Sequence, residues 1–146
     1  MNYVELAEQF LQKSHQLQTY THHKKIDGIM RGEAFVIIYI SESGGKVLPS
    51  EISREMNISS ARIATALNSL EKKGLITRQI DVSDRRKILV DLTADGKSLA
   101  IEHKQMALVA ATHTMELLGE TDAKEFIRII SKIIDLMPAI KEKEKE

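Results

Sequence analysis

The sequence predicts a mainly α-helical chain with one small β-hairpin, and three observations predict it. Apolar residues recur at helical spacing through most of the chain. The period changes between Leu75 and Leu92, where two β-prone runs flank a polar loop. Hydroxyl residues, proline and glycines stand where the helical patterns would start or stop.

A length of 146 residues allows one domain, or a small domain with helical extensions that share its core, and excludes two large ones. Apolar residues at 42% supply a core and charged residues at 29% a solvated surface, so the chain should fold. The absence of cysteine excludes disulfides, thiolate metal sites and thiol redox sensing. No apolar run approaches the roughly 20 residues that span a bilayer. Residues 1–20 also lack the basic start, apolar stretch and small-residue site of a secretory leader. A cytoplasmic protein without a membrane partner is the expectation.

The elements follow in order. Over residues 3–20, Tyr3, Leu6, Phe10 and Leu17 share a face with polar residues between them, which reads as an amphipathic helix. The polar stretch Thr21-His22-His23-Lys24-Lys25 interrupts it. The apolar run over residues 34–40 predicts a buried helix that Gly44-Gly45 ends. After the short segment Lys46-Val47-Leu48, Pro49-Ser50-Glu51 favours a helix start, with proline early and an acid in the first turn, and this helix runs to Met56. Asn57-Ile58-Ser59 makes a tight connection, with Ser59 placed to cap a helix that runs to Lys73 and ends at Gly74.

Residues 75–80 and 87–92 are β-prone runs of matched length, and Asp81-Val82-Ser83-Asp84-Arg85-Arg86 joins them as a polar loop. They predict a hairpin with a loop longer than the two-residue turns. Thr93 caps a long helical pattern with Asp95 in its first turn and no proline before Pro138. Gly119 is expected to split it. Leu99, Met106, Ala110 and Leu117 lie near one face of the first half, and Phe126, Ile130, Ile133 and Met137 line the second. Residues 141–146 alternate in charge and read as a frayed end. Two helices, a capped helix and a hairpin in that order, over residues 31–93, make a winged helix-turn-helix. Helices over residues 1–20 and 94–140 flank it within one domain, residues 1–146.

The formal net charge is zero, which speaks against a nucleic-acid partner until its distribution is considered. Lys plus Arg against Asp plus Glu count 4 to 5 over residues 1–45, 9 to 6 over residues 46–93, and 8 to 10 over residues 94–146. The positive excess therefore coincides with the winged helix-turn-helix. On the capped helix, Ile63, Leu67 and Leu70 share the face that must be buried, while Ala61, Arg62, Thr65, Asn68, Ser69 and Lys72 point the other way. That outward face is short, polar and basic. It suits a major groove, where arginine bonds guanine edges, asparagine bonds adenine and small residues permit close approach. A solvated helix face would have the same composition, so the helix alone does not decide. The hairpin adds weight: Asp84, two residues before Arg86, can hold the guanidinium in a fixed direction, and an oriented arginine at a hairpin tip fits a narrow minor groove.

The stretch Leu70-Glu71-Lys72-Lys73-Gly74-Leu75-Ile76-Thr77-Arg78, then Asp84-Arg85-Arg86, then Leu92-Thr93-Ala94-Asp95-Gly96 resembles the signature of the MarR family of bacterial transcription factors in order and spacing. Pro49-Ser50-Glu51-Ile52-Ser53 followed by Asn57-Ile58-Ser59 is similar to that family's helix and turn before the reader helix. The resemblance implies a sequence-specific regulator of double-stranded DNA, with Arg86 as the minor-groove residue, Asp84 as its orienting partner and residues 59–69 as the contact region. Within that reading the DNA-binding candidates are Ser50, Ser59, Ser60, Ala61, Arg62, Thr65, Asn68, Ser69, Arg85 and Arg86. Leu48 departs from the hydroxyl cap frequent in the family, and Thr65 stands where a longer basic side chain is common, which leaves base preference open.

A single module makes few base contacts, so a specific repressor would double its site by two-fold symmetry. The apolar faces over residues 3–17 and 126–137 exceed the needs of one small core and predict a homodimer on a pseudo-palindromic site. The resemblance also implies a small-molecule effector between the dimer helices and the DNA-binding lobe, with His15, Tyr20, His23, Met30 and Tyr39 as candidates around it. A zinc-responsive regulator is an alternative, with His22-His23 joined by His103 or His113 and a carboxylate such as Glu102, although their spacing matches no zinc motif. No cofactor is implied. The absence of a cysteine nucleophile, a glycine-rich phosphate loop and a His-Glu-x-x-His pattern argues against an enzyme. A winged-helix module that binds protein, and a non-specific architectural protein, are the remaining alternatives.

Overall fold

The structure is a computed structural model that describes residues 2–21 and 25–143, with side chains described over residues 2–17, 32–140 and at Glu142. Its elements are α1 (Tyr3–Thr21), α2 (Lys25–Glu42), α3 (Pro49–Met56), α4 (Ser60–Lys72), β1 (Ile76–Ile80), β2 (Ile88–Leu92), α5 (Ala94–Leu118) and α6 (Glu120–Lys143). The chain divides into two units, Met1–His103 and Lys104–Glu146.

The first unit holds the core. Val36, Ile37 and Ile40 from α2, Ile52 from α3, and Ile63, Leu67 and Leu70 from α4 are all buried, as the helical spacing requires. The hairpin closes the core with Ile76, Val90 and Leu92, and the first turns of α5 add Ala100. Each large side chain buried in this way contributes about 1.5–3 kcal/mol. The strands pair antiparallel with Ile76 opposite Leu92, Arg78 opposite Val90 and Ile80 opposite Ile88.

The helix ends show why these segments meet at these angles. Leu48 has no side-chain acceptor, yet its backbone N–H donates to Glu51 Oε2 at 2.7 Å, the half of a capping box that needs no hydroxyl. Ser59 Oγ accepts from the Arg62 N–H at 3.3 Å and starts α4. Lys73 caps α4, so the helix stops one residue before the expected end. Gly74 then turns left-handed at φ 70°, and the Leu75 N–H closes on the Leu70 carbonyl at 3.0 Å. Thr93 ties this exit to the start of α5: its hydroxyl donates to the Gly74 carbonyl at 2.7 Å and accepts from the Gly96 N–H at 3.1 Å. Gly96 is buried here, and a methyl group at its Cα would run into the Leu75 carbonyl oxygen.

Two features were not expected. Val47 exchanges both backbone hydrogen bonds with Val90, at 3.0 and 2.8 Å, so the short segment before α3 bridges to β2 as a third segment beside the hairpin. The helix expected over residues 34–40 begins already at Lys25.

In the second unit, Gly119 at φ 80° separates α5 from α6, as its position in the sequence suggested. Helix α6 continues through Pro138, whose ring removes one backbone donor without ending the helix. Lys124 pairs with Glu120, and Arg128 with Glu125 at 2.5 Å, along its polar side. Phe126, Ile130, Ile133 and Met137 are all exposed on the single chain, and so are Tyr3, Leu6, Phe10 and Leu17 of α1. No helix among the described residues is long and apolar enough to cross a membrane.

Candidate nucleic-acid interface

Helix α4 presents Ser60, Ala61, Arg62, Thr65 and Asn68 as exposed residues, and Ser50 is exposed in the first turn of α3. Their free valences differ. The Ser59 hydroxyl serves the cap, and the Thr65 hydroxyl donates back to the Ala61 carbonyl at 3.0 Å, which leaves its methyl group and oxygen lone pair outward. Arg62 makes no side-chain hydrogen bond or ion pair among the described residues, so its guanidinium is available to a ligand. Asn68 accepts from Arg78 Nη2 at 2.6 Å, while Arg78 Nε contacts Glu71 Oε2 at 3.0 Å.

Ser69 departs from the expected outward face. It is half-buried and lines one cavity with Glu33, which α2 brings to this side of α4. Glu33 is 7% exposed and bonds Lys73 Nζ at 2.6 Å. Burial pushes the Glu33 carboxyl up, but the Lys73 hydrogen bond and charge, with the polar Ser69 side chain nearby, outweigh it, so the net shift is downward. Arg62, Thr65, Ala66 and Ser69 follow helical spacing along a cavity of about 340 Å³, which Gly32, Glu33, Met56 and Ile58 complete.

The hairpin loop is built by its own side chains. Asp81 accepts from the Ser83 N–H at 2.9 Å and the Ser83 hydroxyl at 2.7 Å, which sets the first bend. Asp84 Oδ1 accepts from the Arg86 N–H at 3.1 Å and from Arg86 Nε at 3.2 Å. The backbone bond fixes where Arg86 leaves the chain, and the side-chain bond fixes where its guanidinium points. Hydrogen bonds from Arg86 hold the Asp84 carboxyl below its ordinary range, and those from Ser83 do the same for Asp81. The Arg86 side chain is 90% exposed, so it is oriented without being enclosed. Arg85 beside it is exposed and has no ion pair among the described residues.

Two of the five residues proposed for an effector have described side chains. His15 is exposed on α1, and Tyr39 is half-buried on α2 with its ring stacked on Phe35 at 6.5 Å. The side chains of Tyr20, His23 and Met30 lie outside the described residues, as does His22. Among the described residues no group of three or more His, Cys, Asp or Glu is arranged to hold a metal ion.

The family model described as MarR family matches residues 27–87, the stretch from α2 through the hairpin loop. The uncharacterised HTH-type transcriptional regulator YwhA of Bacillus subtilis is 31% identical over 127 residues, covering 85% of this chain and 86% of the relative. The chain belongs to the MarR family. Among solved structures, Streptococcus pneumoniae FabT, crystallised in complex with DNA, is similar with TM-score 0.68 at 23% identity, covering 97% of this chain and 99% of that one. The MarR family regulator SP03579 is similar with TM-score 0.77 at 13% identity, covering 96% and 95%. At these identities the likenesses bear on the fold, which they share. Membership makes this chain a DNA-binding transcriptional regulator rather than an enzyme.

For a MarR-family regulator, the sequence reading missed two features of this lobe. Arg78 lies within the motif that carries the resemblance, but its partners Asn68 and Glu71 are on a different element, and nothing local in the sequence pairs them. Lys73 and Glu33, 40 residues apart, have no sequence signal that pairs them.

Proposed function

We propose that the protein is a dimeric, sequence-specific repressor that reads a pseudo-palindromic DNA site with two copies of the lobe over residues 31–93. In this reading α4 enters the major groove with Ser60, Ala61, Arg62, Thr65 and Asn68, and Ser50 and Arg85 contact phosphates. Arg86 enters the adjacent minor groove. The observation that carries it is the Asp84–Arg86 pair: a guanidinium on a 90% exposed side chain is held through Nε by a carboxylate that also accepts from the Arg86 backbone N–H. An isolated surface pair of this kind contributes little to stability. Its use is orientation, and a pre-oriented guanidinium binds the negative potential of a narrow minor groove with less conformational entropy to lose.

The exposed apolar faces of α1 and α6 support the dimer, since each is too large to leave in water and each finds cover in a second copy. Several curated relatives are named as repressors, among them YetL of Bacillus subtilis at 20% identity. Release by a small molecule completes the reading. The cavity behind α4 would admit one, and a ligand bonded to Arg62 there would compete with DNA for the same side chain.

The test is binding to duplex sites selected from a random pool. Arg86→Ala should weaken binding to the selected site at least tenfold, and Arg62→Ala should relax preference at one base position by about 1–3 kcal/mol. Unchanged duplex binding in the double variant would refute the proposed DNA-contact roles.

A further inference from the structure

We propose that Arg78 sets the base preference of α4 by fixing the amide of Asn68, so that Asn68 selects guanine rather than adenine; this rests on the reading of α4 as the major-groove helix. Arg78 leaves β1 opposite Val90, and its guanidinium reaches across to α4. There Nη2 donates to Asn68 Oδ1 at 2.6 Å and Nε contacts Glu71 Oε2 at 3.0 Å. Residues 68 and 71 lie one turn apart on the helix, so one planar fork spans both. The Arg78 side chain is only 30% exposed although it is charged, so the fork is seated against α4 rather than free in solvent.

The chemistry of the donor decides the orientation of the amide. Arginine carries N–H donors and no acceptor, so the amide must turn its oxygen toward Arg78 and its nitrogen away. What Asn68 then offers outward is an NH₂ group with two donors. Recognition of adenine by asparagine needs both ends of the amide on one base edge, the oxygen accepting from N6 and the nitrogen donating to N7. With the oxygen held by Arg78, that pairing loses half its contacts, and the adenine N6 donor faces another donor. Guanine presents two acceptors on its major-groove edge, O6 and N7, and suits an outward NH₂ group. Arg78 is thus a positioning residue: it need not touch the base to change which base is chosen. It also neutralises Glu71, whose carboxylate would otherwise repel a phosphate beside the reader helix.

The experiment selects sites from a random duplex pool with the full-length protein and with the Asn68→Ala, Arg78→Ala and Arg78→Lys variants and the Asn68→Ala/Arg78→Ala double variant. Thermal melting alongside checks that each is folded. Asn68→Ala should erase preference at one position of each half-site, and that position should be guanine in the unaltered protein. Arg78→Ala should move the guanine-to-adenine ratio there toward adenine by roughly fivefold to a hundredfold, with other positions unchanged. Lysine is also donor-only, so Arg78→Lys should retain guanine, and the double variant should behave as Asn68→Ala alone. An adenine at the Asn68-dependent position, or a ratio that Arg78→Ala does not move, overturns the inference while the DNA-reading assignment stands. Enrichment of no sequence by the unaltered protein removes that assignment and this inference with it.

Discussion

The Glu33–Lys73 pair joins α2 to the C-terminal end of α4, and its coupling energy is predictable from the geometry. Exposed ion pairs are worth about 0–1 kcal/mol, and breaking a buried one costs about 3–5 kcal/mol. This pair lies between: the Glu33 side chain is 9% exposed and that of Lys73 52%, so water screens one partner and not the other. A coupling of about 1–2 kcal/mol follows at neutral pH. Urea unfolding of the unaltered protein, Glu33→Gln, Lys73→Ala and the double variant measures it as a double-mutant cycle. Lys73→Ala should be the less stable single variant, because it leaves a buried carboxylate without its cation. The sign with pH follows from the lowered Glu33 pKa. A carboxyl depressed in the folded state stabilises fully above its unfolded value, about 4.3 for glutamate. That contribution is lost as pH falls through the folded value. The coupling should therefore be constant from pH 7 to about 5.5 and vanish at lower pH, while other carboxylates titrate alike in all four proteins and cancel. A coupling under about 0.3 kcal/mol at pH 7, or one that persists unchanged at pH 2, would refute the reasoning.

Three further outcomes are expected. Thr93→Ala removes both the α5 cap and the bond to the Gly74 carbonyl, so it should cost about 1–2 kcal/mol in urea unfolding, and Thr93→Ser should restore most of it. Asp84→Ala should weaken binding to a selected duplex site with only a small change in melting temperature, because a loop pair with so exposed a cation contributes little to stability; a lowered melting temperature with intact binding would reverse that assignment. Ile133→Glu should shift the sedimentation coefficient from dimer to monomer, since it places a charge in the α6 face assigned to the second copy, and an unchanged dimer would exclude that face.

The parts of this molecule legible in its sequence are those whose partners lie within a few residues. Ser59 and Thr93 could be placed as caps because a cap bonds a donor two or three residues on. The Asp84–Arg86 pair was legible for the same reason. Ile63, Leu67 and Leu70 were legible because helical periodicity alone fixes their common face. Ser69 shows where that reasoning stops. It precedes Leu70 at the edge of the buried face, and projection places it outward, but α2 approaches that edge and half-buries it near Glu33. The Val47–Val90 rung and the Arg78–Asn68 bond fail similarly, because each depends on how separate elements pack. The helix projection also treats Asn68 as free to use both ends of its amide, and only the tertiary contact shows one end taken.

Those contacts also bear on why a chain of zero net charge can serve a polyanion. Residues 46–93 carry nine basic and six acidic side chains, a small excess for a DNA-binding lobe. The acids are not distributed as free negative charge. Glu51 accepts from the Leu48 N–H, Asp81 from Ser83 and Asp91 from the Leu92 N–H, while Glu71 and Asp84 each hold an arginine. Five of the six therefore fix local geometry, and two of those five orient a cation. Arg62 and Arg85 carry no such partner among the described residues, and Arg86 remains 90% exposed despite its own. An acid placed beside an arginine lowers the total charge but raises the precision with which that arginine is presented, and in a groove only a few side chains wide, direction discriminates more than charge. The neutral sum of the whole chain thus suits a regulator that must leave non-specific DNA readily, since binding by phosphate charge alone gives no preference among sequences.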